Sequence, residues 1–248
     1  MWKNIGLDKC VSFIKSEFIP TAKSAPTSTR PAITISRMNG AGGHTVASNL
    51  ADYLQTRVPN HEPWTVFDQN LVQKVLEDHH IHNRIAAFME EGHRSVARDT
   101  FEEWMGLHPS TWNIVQMTNA TILRLAQLGN VILVGRGSTV ITGRLKNVFH
   151  VLLVGSLEKR VQRVQDVYGL DRKKACTYVK EKDYGRRKYV KDNFNIDIDS
   201  PLLYHLTINT DMVGYHDAAT LIGDEVFRRF YPGSMPKNVE AERRLAQQ

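Results

Sequence analysis

Short apolar runs alternate along this chain with stretches of four-residue hydrophobic spacing. The first run, Ile33 to Ile35, stops at Ser36-Arg37. Beyond Thr45 the spacing changes: Val46, Leu50 and Leu54 recur every fourth residue with Ala47 and Ala51 beside them, which predicts a helix. Trp64 to Phe67 is a β-prone run ending at Asp68. Ile114, Thr118, Ile122, Leu125 and Leu128 form a second helical stripe, ended by Gly129-Asn130. Val131 to Val134 and Val148 to Val154 are dominated by apolar residues, the mark of strands buried on both faces of a parallel sheet. Gly155-Ser156 turns the second of these into a helix with Leu157, Val161 and Val164 inside. A densely charged helix follows from about Asp171 to Val190. Tyr204 to Asn209 alternates as a last strand, and Leu221, Ile222, Val226 and Phe230 give a closing helix before Pro232-Gly233.

This order predicts an α/β fold, a parallel sheet with helices on both faces, right-handed crossovers and a ligand at the C-terminal edges of the strands. Residues 31–232 form the domain. Within it, 71–110 read as a polar helical insert on the substrate side and 170–200 as a lid. Residues 1–30 stand apart. Leu7, Val11 and Ile14 make one face of a short amphipathic helix, and Pro20 to Arg30 is a linker rich in Pro, Ser and Thr. Such an appendage suits docking on the body or on a partner subunit, so a homodimer is compatible with the sequence. Residues 233–248 read as a polar tail.

Composition narrows this picture little. A chain of 248 residues with 42% hydrophobic and 23% charged residues is an ordinary globular α/β chain with a small subdomain. The net charge of +6 suits an anionic substrate. Cys10 and Cys176 are far apart and in no metal spacing, which points to reduced thiols in the cytoplasm. No apolar run reaches the length of a membrane span, so no membrane partner is expected. Lys3, Lys9 and Lys15 interrupt any signal-peptide core. His79, His80, His82 and His93 lack Cys or HExxH spacing and read as a solvated helical surface rather than a zinc site.

The chemistry starts at Asn39-Gly40-Ala41-Gly42-Gly43, between the first strand and the first helix. Glycines let backbone N–H groups turn inward, and the helix dipole adds a positive field, so the turn suits an anion such as a nucleotide phosphate. A P-loop reads G-x-x-x-x-G-K-[ST]. With Gly42 as the second glycine, the first falls on Arg37 and the lysine on Gly43, followed by His44 and then Thr45. Asp68, at a strand's end, either faces the ligand crevice or caps a helix starting near Asn70. Arg136, between Gly135 and Gly137, stands where a phosphate or carboxylate can be gripped. Arg160 and Arg163 share one helix face, and Asp183 and Arg187 have ion-pair spacing on the next helix. Arg186, Arg187 and Lys188 suit a lid over transferring phosphates or, more plainly, a solvated charged face.

Several of these stretches together resemble one family. ITISRMNGAGGHTVASNLADYL is similar to ISREYGSGGREIA, the opening of the cytidylate kinase-like family, a branch of the P-loop nucleoside-monophosphate kinases whose members typically lack the P-loop lysine. VFDQNLVQKV, VILVGRGS, VFHVLLVGSLEKRVQRV, KEKDYGRRKYV and YHLTINT resemble its later segments in order, from about Ala32 to Phe230. The resemblance implies a three-layer P-loop kinase fold and an enzyme that uses ATP and Mg²⁺ to phosphorylate a nucleoside monophosphate, CMP or dCMP foremost.

It implies further that Gly40, Ala41, Gly42, Gly43, His44 and Thr45 wrap the ATP phosphates, with Ser36 and Arg37 at the loop's start and Thr45 as the hydroxyl on the Mg²⁺ side. Asp68 and Arg136 fall on the monophosphate side. Arg160 and Arg163 match arginines of the helix before the lid, and Asp183, Arg186 and Arg187 match the lid. Arg37 or a lid arginine is then expected to supply the lysine's charge. Gly137 stands where true cytidylate kinases have the Asp of a GRD motif, Met38 where the branch has an acidic residue, and His44 where it has an arginine. Gly137, Met38 and the missing lysine favour a rival reading, a nucleotide-binding module that senses or regulates. Nucleic-acid binding by the basic lid helix is the weakest of the three readings.

Overall fold

The computed structural model of the protein describes residues 30–57, 63–68, 111–135 and 137–231. The expected N-terminal helix and its linker, the insert with its histidines, Arg136 and the polar tail lie outside the described residues. The strands are β1 (Ala32–Arg37), β2 (Thr65–Asp68), β3 (Val131–Val134), β4 (Val148–Val154) and β5 (Leu206–Asn209). The helices are α1 (Gly43–Arg57), α2 (Thr111–Leu128), α3 (Ser138–Ile141), α4 (Leu157–Tyr168), α5 (Arg172–Phe194) and α6 (Tyr215–Phe230). The sheet order is β2-β3-β1-β4-β5, and every neighbouring pair is parallel. Among the described residues no helix is long and apolar enough to cross a membrane.

Strand alternation divides the core. Ile33 and Ile35 of β1, Ile132 and Val134 of β3, and Phe149, Val151 and Leu153 of β4 face α1 and α6, where Val46, Leu50, Ile222 and Val226 complete the layer. Ala32, Val131, Leu133, Val148 and Phe67 face Ile122, Leu125 and Ala126 of α2 on the other side. This is the expected three-layer α/β sandwich. It puts the ends of β1 and β3 side by side at the centre of the C-terminal edge.

Three details differ from the hydrophobic pattern. β1 continues through Ser36 and Arg37, because these polar residues still pair with Leu152 and Leu153 on β4. Leu157 and Leu221 are exposed at 39% and 52%, since Val161 and Val164 on α4, and Ile222 and Val226 on α6, already fill the inward faces. β5 starts at Leu206 rather than Tyr204. The break between α4 and α5 comes from Gly169, left-handed at φ 66°, and Asp171, whose carboxylate accepts from Lys174 N–H at 2.9 Å.

A polar chain crosses the buried layer under the sheet. His150 Nδ1 lies 2.8 Å from Thr34 Oγ1, which lies 3.0 Å from Thr139 Oγ1. Burial first, then the neighbouring His205 and Arg229, lowers the His150 pKa from 6.5 to about 4. The folded ring is therefore neutral where the unfolded ring takes up a proton. Its stabilising contribution is full above pH 6.5 and is lost as pH falls toward about 4. The whole shift corresponds to ~3 kcal/mol at ~1.4 kcal/mol per unit. Urea denaturation at about pH 7 and about pH 4.5 should show wild type losing more stability than His150→Gln, which cannot titrate. Equal losses would remove His150 as the source.

Candidate active site

The glycine loop joins β1 to α1. Met38 N–H donates to Leu153 O at 3.0 Å and Ala41 N–H to Met38 O at 3.1 Å. Val46 N–H to Gly42 O, 3.0 Å, is the first bond of the α1 ladder, so Gly43, His44 and Thr45 carry the unpaired N–H positions of a helix start. Gly40 and Gly42 have φ of 84° and 82°, which side-chain-bearing residues rarely adopt. Packing adds a second reason for glycine. A Cβ on Gly40 would stand 2.6 Å from Arg160 O, and one on Gly42 would enter the Tyr215 ring. The loop is thus held from outside by the first turns of α4 and α6.

Arg37 continues the face of Ile33 and Ile35, so its stem turns toward α1. A Cβ placed on Gly43 would lie 2.9 Å from Arg37 Cγ, and one on Gly135 would lie 2.5 Å from Arg37 Nη1. The side chain therefore runs from the end of β1 past the start of α1 to the end of β3, along the sheet's C-terminal edge. Burial first, then Arg186, lowers its pKa, while Asp68 and Asp183 oppose the shift. The guanidinium keeps its proton, but in surroundings that favour an added anion.

α5 packs its N-terminal half on α4 through Val161, Val164, Ala175 and Val179. Its middle docks on the loop. Asp183 Oδ1 accepts from Asn39 N–H at 2.7 Å and Oδ2 from Arg160 Nη1 at 2.6 Å. Arg160 also donates to Asn39 O at 3.0 Å and to Gly155 O at 2.9 Å. Asp183 therefore turns inward and does not form the expected pair with Arg187, because two buried donors outweigh one exposed one. Arg186 donates from Nη1 to Ser36 Oγ at 3.1 Å and from Nη2 to Asp199, and its buried Nε has no partner among the described residues. Arg187, half exposed, reaches Asp199 at 3.6 Å. A cavity of about 390 Å³ lies between the loop and α5, lined by Arg37, Asn39, Gly137, Asp183, Arg186 and Tyr189 among others.

Arg163 donates from Nη2 to Thr45 Oγ1 at 2.6 Å, with its guanidinium 4.3 Å over the Tyr215 ring. A magnesium ion on that oxygen would meet a guanidinium at contact distance, so Thr45 does not fit a metal ligand in this arrangement. Among the described residues no three His, Cys, Asp or Glu side chains gather as a metal site. His44 Nδ1 lies 3.7 Å from Asp68 Oδ2. Its pKa is lowered, chiefly by burial and then by Arg37, against the pull of Asp68. The lowered pKa disfavours a charged His44 and so argues against it as the missing cation.

Most residues singled out in the sequence meet here: Ser36, Arg37, Gly40 to Thr45, Asp68, Arg160, Arg163, Asp183 and Arg186. Asn39, named in the sequence only as the start of the turn, joins them, as do Asp199 and Tyr215, of which only Asp199 carries a local signal. Asp197 accepts from Asp199 N–H at 3.0 Å, the turn that the run Asp197-Ile198-Asp199-Ser200-Pro201 encodes.

Residues 32–212 match the cytidylate kinase-like family. The chain belongs to that family. The matched span contains the glycine loop, Arg160, Arg163, Arg186 and Arg187, and it ends at 212 where the sequence resemblance was drawn to about Phe230. No curated protein matches the chain. Among solved structures, an uncharacterized protein from Eubacterium ventriosum has a TM-score of 0.55 at 21% identity, covering 80% of this chain and 97% of that one, which shows the shared fold. Shikimate kinase from Acinetobacter baumannii has a TM-score of 0.44 at 17% identity, covering 81% and 95% of the two chains. A gluconokinase from Sinorhizobium meliloti has a TM-score of 0.39 at 11% identity, covering 87% and 98%.

Proposed function

We propose that the protein transfers the γ-phosphoryl group of ATP to a nucleoside monophosphate, with CMP and dCMP as the first acceptors. One observation carries the reading: Arg37 and Arg186 converge at the end of β1, beside a glycine loop that opens a helix. Asp199 already pairs with Arg186, while Arg37 is buried beside the Arg186 charge, and a polyphosphate reaching both offsets that repulsion. The loop N–H groups hold the donor phosphates, and the guanidiniums offset charge on the transferring group, which is most of what phosphoryl transfer requires. An acceptor phosphate oxygen bonds to the γ-phosphorus as the β–γ bridging oxygen leaves with ADP, and no covalent enzyme intermediate is needed. Asp68 and Arg136 take the acceptor side, with Arg187 closing from the lid. Mg²⁺ arrives with ATP and offsets phosphate charge when bound.

A second reading, nucleotide binding with little chemistry, draws on the internal partners already held by Arg186 and Thr45. Purified protein with ATP, Mg²⁺ and CMP, dCMP, UMP, AMP or GMP, followed by ADP release, separates the two. Turnover that depends on one monophosphate is expected. ATP binding without turnover on any acceptor would favour the sensor, and absence of ATP binding would overturn both.

A further inference from the structure

A standard P-loop has glycine at its first position and lysine six places later. In this chain those positions carry Arg37 and Gly43, so the small residue and the cation have changed places. The two sites touch. A Cβ on Gly43 would lie 2.9, 3.1 and 3.4 Å from Arg37 Cγ, Cδ and Cβ, so the stem of Arg37 fills the room in which a lysine at 43 would begin. Nothing in the backbone demands glycine at 43. Gly40, Gly42 and Gly135 have positive φ, but Gly43 does not. It starts α1, where most side chains are accepted.

We propose that the P-loop cation has been exchanged between positions 37 and 43: Arg37 delivers from the end of β1 the charge a lysine would deliver from the start of α1, and Gly43 is bare to let it pass. Among the described residues the neighbouring arginines already hold protein partners: Arg160 is buried against Asp183, Arg186 bonds Asp199 and Ser36, Arg187 reaches Asp199 from a half-exposed position, and Arg163 lies over Tyr215 against Thr45. Gly135, where a Cβ would stand 2.5 Å from Arg37 Nη1, clears the far end of the same path.

The exchange predicts reciprocal coupling, and it deepens the kinase reading without depending on turnover. Five variants test it: Arg37→Ala, Gly43→Lys, the two combined, and Gly43→Ala with and without Arg37→Ala. Thermal midpoint and ATP affinity by equilibrium dialysis are the readouts, with ADP release as a third. Gly43→Ala should lower the midpoint when Arg37 is present and leave or raise it once Arg37 is Ala. Gly43→Lys alone should destabilise. Arg37→Ala alone should weaken ATP by about tenfold or more, and the combined variant should recover most of that loss and the midpoint. Additive effects of the two positions on both readouts would overturn the exchange, as would a combined variant that neither folds nor binds ATP. Wild-type protein that binds ATP but turns over no acceptor would remove the kinase reading and leave this coupling to stand or fall by itself.

Discussion

Arg37→Ala is expected to slow phosphoryl transfer by about 10²-fold or more, the usual loss when one preorganised electrostatic donor is removed. Beyond the roughly tenfold weakening of ATP, the rest of the loss should fall on kcat, because loop N–H groups and α1 still hold part of the donor phosphates while the charge developing in transfer goes unmet. Stability should move the other way or not at all. Burial and the Arg186 charge both work against the Arg37 cation in the folded protein, and alanine removes that cost. A poorer enzyme that melts no earlier is the signature of a residue kept for function. Steady-state kinetics beside calorimetry checks both halves. Near-wild-type turnover, or a large drop in midpoint with kcat intact, would make Arg37 a structural residue.

Arg37 also marks how far the sequence could be read. The strands were legible because Val131 to Val134 and Val148 to Val154 are apolar enough to be buried on both faces, and the helices because Val46, Leu50 and Leu54 keep helical spacing. The glycine loop could be placed for the same reason, as the break between those two periods. Which of the candidate arginines lies against it could not. Arg37 reaches Gly43 and Gly135, two positions whose nearness depends on β1 and β3 lying side by side, and neither spacing nor composition carries strand order. Asp183 shows the same limit more sharply. Helical spacing suggested Arg187, four residues on, yet the stronger partners are Arg160 and the Asn39 N–H, brought in by the packing of α4 and α5. Tyr215 had no signal at all, because an aromatic residue opening a helix reads as ordinary packing until its ring is seen against Gly42 and Arg163.

Asp183→Ala is expected to cost ~3–5 kcal/mol of stability, the range for removing one partner of a buried ion pair. Its pair with Arg160 is 2.6 Å long, with the two side chains only 8% and 9% exposed. Alanine strands the Arg160 guanidinium and leaves Asn39 N–H without its acceptor, so two buried donors lose a partner at once. Asp183→Asn should cost less, since an amide oxygen still serves one of those donors. Arg160→Met should rescue part of the Asp183→Ala loss by removing the stranded charge while keeping the aliphatic bulk. The damage should also reach the site, because Arg160 carries the backbone carbonyl against which Gly40 packs and itself bonds Asn39 O. Urea midpoints for wild type, the two singles and the double give the coupling directly. A double variant as unstable as the sum of its singles would mean that Asp183 and Arg160 act separately, and that α5 is tied to the glycine loop by something other than this pair.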